Sequence, residues 1–189
     1  GEYYHLSLST VPRITNVSNQ EETLELLDKR SFDMVIVMIQ SNNRFAVVEL
    51  CEKIKTKLPN LPVLLLLNNT FGVELLRDQK DGLSSFDKVF LWHGDSNIFL
   101  AMIKYVEDKL NVRNDTKIGM VRVILLVEDS INYYSRYLPK LYQEIIEQTQ
   151  ILITDESFEE TKKILRMRAR PKVLLANSYE EAIEFFQEY

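Results

Sequence analysis

The chain has 189 residues, of which 46% are hydrophobic and 27% charged, and a formal net charge of −5. That length and balance suit one large globular unit or one and a half small ones, and they lack the concentrated basic face of a nucleic-acid surface. The single cysteine, Cys51, has no internal disulfide partner, no signal peptide is evident, and the longest apolar runs fall far short of a bilayer's thickness; the expected setting is reduced, cytoplasmic and free of membrane.

In chain order, Gly1 to Val11 carries no decisive pattern. PRITNVSN, from Pro12, predicts a short strand ending in turn formers, and QEETLELLDKR a helix with Leu24, Leu26 and Leu27 inward and carboxylates in its first turn. DMVIVMI predicts a buried strand, SNNRF a loop, and AVVELCEKIKTKL an amphipathic helix that holds Cys51 beside Leu50 and Ile54. PVLLLLN is a further buried strand, GVELLRDQ a short helix and DKVFLW a strand. SNIFLAMIKYVEDKLN predicts a long helix capped by Asp95 or Ser96, and the polar stretch Asn111 to Gly119 (NVRNDTKIG) a linker. Alternating strands and helices imply right-handed crossovers and a parallel sheet covered on both sides.

The stretch Val121 to Ser130, VRVILLVEDS, is the sharpest signal in the chain. Its unalternating aliphatics predict a parallel strand between helical layers, and Glu128 and Asp129 fall at its C-terminal end, where open α/β sheets place their ligands. INYYSRYLPKLYQEII then has helical spacing, with Asp129 or Ser130 able to cap it and Pro139 expected to kink or divide it. The span from about Ile151 to Arg170 exceeds what a single crossover helix needs and reads as an insertion; KVLLANS and YEEAIEFFQEY close the chain as a strand and a helix.

An internal repeat is also visible. An offset of 159 positions lays RITNVSNQEETLELLDKR (Arg13 to Arg30) over KVLLANSYEEAIEFFQEY (Lys172 to Tyr189) without a gap. Glu21 and Glu22 then meet Glu180 and Glu181, and Leu24, Leu26 and Leu27 meet Ile183, Phe185 and Phe186. Two copies of one strand-helix unit follow, the first without an evident strand before it.

With its acidic pair, VRVILLVEDS resembles the first strand of a response-regulator receiver domain. The longer strings WHGDSNIFLAMIKYVEDKLNV, VEDSINYYSRYLPKLYQEIIEQTQ and LRMRARPKVLLANSYEEA resemble the tandem receiver-like N-terminal region of multidomain proteins similar to phosphoenolpyruvate synthases. The resemblance implies an α/β, doubly wound parallel sheet of flavodoxin-like order 2-1-3-4-5. Residues 1–111 would form a degenerate receiver-like lobe, 112–120 a linker and 121–189 a partial second unit. It also implies a chemistry. An acidic pair holds Mg2+, an aspartate at the end of strand three accepts a phosphoryl group, and a hydroxyl and a lysine after strands four and five read it. Glu128 and Asp129 match the acidic pair. Met38 stands where the acceptor would lie, Asn68 or Asn69 replaces the hydroxyl, and Trp92 and His93 occupy the lysine slot.

The expectation is therefore a pseudo-receiver in two-component or phosphorelay signalling. It is not itself an enzyme and requires no cofactor. It docks to a protein partner, to an attached phosphotransfer domain or to a second copy of itself, without nucleic acid or membrane. The alternative is a phosphoryl-accepting receiver that uses Mg2+ at Glu128 and Asp129, with its acceptor outside this chain. A small enzyme or nucleotide binder is disfavoured, because no strand is followed by GxGxxG and no GxxxxGK[ST] loop is present. Each candidate also has a plainer reading. Glu128 and Asp129 can cap a helix, and His93 can sit partly buried in a loop. Tyr133, Tyr134, Tyr137 and Tyr142 can be core rather than partner surface. The basic strip Lys162, Lys163, Arg166, Arg168 and Arg170, a candidate anion or partner contact, can be a solvated helix face.

Overall fold

The computed structural model describes residues 13–39, 44–68, 84–154 and 169–189, in two compact units, one of Ile14–Asp95 and a second that contains Ser96–Tyr189. In the first, α1 (Gln20–Lys29), β1 (Val35–Met38), α2 (Arg44–Lys57), β2 (Val63–Leu67) and β3 (Lys88–Leu91) follow one another. The three strands are parallel with β2 in the middle; Val35 lies opposite Val63, and Leu64 opposite Lys88. Every side chain of β2 is buried, as an unbroken aliphatic run requires of a strand covered on both faces. Cys51 and Ile54 of α2 and Leu27 of α1 join that core. The Asp87 carboxylate accepts the Val63 N–H at 2.7 Å and pairs with Lys55, fixing the start of the sheet.

In the second unit, α3 (Asn97–Gly119), β4 (Val123–Val127), α4 (Ile131–Thr154), β5 (Lys172–Ala176) and α5 (Tyr179–Glu188) build a two-stranded parallel ladder and its cover. Val123 lies opposite Lys172 and Val127 opposite Ala176. α3 packs on α4 and on β5, and α5 packs on both strands. β5 is wholly buried, whereas β4 is partly exposed along its length. The class is thus α/β with parallel strands. No described helix is long and apolar enough to cross a membrane.

Three local expectations change. The stretch Asn111 to Gly119 is not a linker but the last turns of α3, and the division between the units falls between Asp95 and Ser96 rather than in 112–120. Polarity alone suggested a tether, but Val112 is buried, the Thr116 hydroxyl donates to the Val112 carbonyl at 2.7 Å, and Asp115 pairs with Lys172 at 2.9 Å. The helix stops only beyond Gly119, where Met120 turns left-handed with φ 48°. Pro139 does not divide α4, which runs through it as one helix. The residues of PRITNVSN that are described, from Arg13 on, form no strand, because no described strand runs beside them to complete a ladder. The helix expected at GVELLRDQ, and most of the insertion before Arg170, lie outside the described residues.

The repeat reappears in the helix starts. Asn19 caps α1 at φ −142°, ψ 165°, and Ser178, 159 positions on, caps α5 at φ −141°, ψ 164°. The Asn19 side chain accepts the Glu22 N–H at 2.8 Å, and the Ser178 hydroxyl accepts the Glu181 N–H at 3.1 Å. Each glutamate reaches back to the N–H before the cap, Glu22 to Ser18 at 3.5 Å and Glu181 to Asn177 at 2.7 Å. Both starts are variants of a capping box.

Candidate functional site

Parallel strands direct their C-terminal ends to one side of a sheet, so the residues that end or follow β1, β2 and β3 are the first place to look for chemistry. In the first unit these are Met38, 49% exposed, then Asn68, then Trp92 and His93. Asn68 and His93 are exposed and Trp92 is half-buried. Asn69 lies outside the described residues. The Met38 thioether cannot form the acyl phosphate that a carboxylate forms, so the position is accessible without being a phosphoryl acceptor.

In the second unit, the end of β4 carries the acidic pair. Glu128 is tied down by its backbone: its N–H donates to the Ala176 carbonyl at 2.9 Å, and its carbonyl accepts the Asn177 side-chain amide at 2.7 Å. One carboxylate oxygen of Glu128 accepts the Ser130 N–H at 3.0 Å and so closes the turn into α4. The Ser130 carbonyl in turn takes the Tyr133 and Tyr134 N–H groups at 3.1 and 3.0 Å. Asp129 is exposed. The pair therefore sits where the sequence placed it, with Glu128 already committed to the helix start. Among the described residues, no three His, Cys, Asp or Glu side chains gather as a metal site. Hexacoordinate Mg2+ at Glu128 and Asp129 would need water or an anionic ligand for its remaining positions.

The tyrosines of α4 divide by face. Tyr134 and Tyr142 are buried, and burial pushes both phenols above their ordinary pKa, Tyr142 with help from the nearby Asp108 charge. Tyr133 and Tyr137 are exposed and stack in parallel, with ring centroids 6.1 Å apart. Val127 at the end of β4 is also exposed.

Arg170 corrects an expectation. It is not available to an outside anion, because it is buried and forms a two-pronged ion pair with Asp108, at 2.7 Å and 3.0 Å. Asp108, fully buried on α3, also accepts the Val173 N–H at 2.8 Å and the Tyr142 hydroxyl at 3.2 Å. The Arg170 guanidinium lies over the Tyr142 ring at 5.7 Å. Burial works against the Arg170 charge, but the hydrogen bonds and charge of Asp108 outweigh it and hold the guanidinium more firmly protonated than usual. Lys104 shows the reverse balance: burial lowers its pKa despite its pairing with Glu107. This network staples α3 to α4 and to the start of β5. It was not foreseen, although the sequence held a signal: Asp108 lies three positions after Tyr105 and four before Val112, on the helix's buried stripe. Arg166 and Arg168, with Lys162 and Lys163, lie outside the described residues.

No family model matches the chain, and neither a curated protein nor a solved structure matches it.

Proposed function

We propose that this chain is a non-catalytic, receiver-like regulatory module, with flavodoxin-like strand order, that docks to a protein partner or to an attached phosphotransfer domain in a cytoplasmic signalling system. β4 and β5 are read as the first two strand positions of a receiver, and β1, β2 and β3 as the third, fourth and fifth. The observation that carries this reading is that Met38, a thioether, ends a strand of a parallel ladder; on the receiver reading that is the acceptor's position, and it lacks the carboxylate the chemistry needs. The exposed pair Tyr133 and Tyr137 supports docking, since stacked tyrosines supply contact area at little entropic cost. Incubation with acetyl phosphate and Mg2+ tests the reading by intact mass. The expected spectrum has no added phosphoryl group, and a hydroxylamine-sensitive gain of one such group would overturn the proposal.

A second reading rests on Asp129, whose exposed carboxylate stands next to Glu128 at the end of β4. Here the pair holds Mg2+ for a phosphoryl acceptor supplied from outside the chain. Calorimetric titration with Mg2+ distinguishes the two. This reading requires saturable binding that is lost in Asp129→Ala, and a flat titration removes it.

A further inference from the structure

The two copies of the repeat share a helix cap but not a strand. In the second copy, Lys172–Ala176 is β5, paired in parallel with β4 along its whole length, and Val173 and Ala176 are 1% and 0% exposed. The equivalent residues of the first copy, Arg13–Val17, lead into a cap of the same backbone angles. They belong to no ladder, and Ile14 and Val17 are 66% and 37% exposed. Only Asn16 is of a type depleted in strands. The segment holds neither Pro nor Gly, and Ile14, Thr15 and Val17 are β-branched, the side chains that fit a pleated surface best. What the first copy lacks among the described residues is the neighbour that β4 provides to the second.

We infer that Arg13–Val17 is an acceptor for one added parallel strand, and that its occupant is an extended segment of a partner protein with the chemistry of β4: about five consecutive aliphatic residues without proline. The chain itself supplies the precedent, since the same unit makes this pairing 159 positions later with VILLV. In such an addition, main-chain hydrogen bonds provide most of the affinity, and alternate side chains of the incoming strand flank Ile14 on one face and Val17 on the other. The inference does not depend on the receiver reading.

Amide hydrogen exchange on the full chain tests it, with a synthetic RVILLVEDS peptide matching Arg122 to Ser130 as the probe and a Leu125→Pro version of that peptide as the control. With the probe, the amides of Arg13, Thr15 and Val17, the counterparts of the β5 amides that face β4, are expected to exchange slower by on the order of tenfold or more, and with the control to stay unchanged. Val17→Pro in the chain removes one ladder donor from a position outside any ladder, so it should leave the far-ultraviolet circular dichroism intact while abolishing the protection. Three results would overturn the inference: no protection of Arg13–Val17 at peptide concentrations up to about 1 mM, protection changes at Lys172–Ala176 alone, or slow exchange of Arg13–Val17 already present without peptide.

Discussion

Replacing Asp108 by alanine should be among the most damaging single changes in the second unit. The side chain is fully buried and accepts four hydrogen bonds, two from Arg170 at 2.7 and 3.0 Å, one from the Val173 N–H at 2.8 Å and one from the Tyr142 hydroxyl at 3.2 Å. Alanine leaves a guanidinium in the interior with, among the described residues, the more distant Glu107, at 3.7 Å, as its remaining carboxylate partner. It also strands the Val173 N–H, which alone would cost about 1–3 kcal/mol. Removing one member of a buried ion pair costs about 3–5 kcal/mol, a large share of the roughly 5–15 kcal/mol that holds a domain folded. Urea titration followed by far-ultraviolet circular dichroism measures the loss. The double variant Asp108→Leu, Arg170→Met removes both charges and should recover the share due to the unpaired ion, but not the cost of the stranded Val173 N–H. A loss under about 1 kcal/mol for the single variant, or a double variant as weak as the sum of its singles, would refute the reasoning.

The remaining predictions are smaller. Asn19→Ala and Ser178→Ala each remove a side-chain cap and should each cost about 1 kcal/mol in urea titrations, with similar values because the two caps share their geometry. Met120→Gly should raise stability by up to about 1 kcal/mol, since the left-handed conformation at φ 48° strains any residue with a β-carbon. Burial pushes the Cys51 thiol up to about 11, from 9.0. The folded chain therefore keeps a proton that the unfolded chain releases, and this contribution to stability is complete below pH 9.0 and lost as pH rises to about 11. Cys51→Ala should flatten that alkaline decline, as seen in thermal midpoints between pH 8 and 10.5, roughly the range over which the thiol titrates.

The strands β2 and β4 were legible because uninterrupted aliphatic runs bounded by turn formers have few other uses in a chain of this composition. The helix caps at Asn19 and Ser178 went unread, although each is a short polar residue three positions before a glutamate, a local signal of a capping box. What could not be read locally depended on neighbours far along the chain. The end of α3 looked like a tether because its anchors, the Val112 core contact and the Asp115–Lys172 pair, are tertiary. Arg170 looked like one more member of an exposed basic strip, yet it stands two positions before a buried strand and is drawn inside with it. Arg13–Val17 has the composition of a strand but lacks the second strand that would make it one. For the candidate site, the sequence located Met38, Asn68, Trp92 and His93 at or just past the ends of their strands and Glu128 after β4, but it did not show that the Glu128 carboxylate is engaged by Ser130.

Asp108 and its counter-ion are separated by 62 residues, and the cation comes second. During synthesis, α3 leaves the ribosome long before Arg170 and the Val173 amide exist. Until then its carboxylate has neither of the two donors that reach it from the start of β5, and the apolar stripe around it has no strand to close on. The latch of this unit thus closes only after α3, β4 and α4 have been made. A nascent chain arrested short of Arg170 would offer chaperones and proteases an open, charged interior.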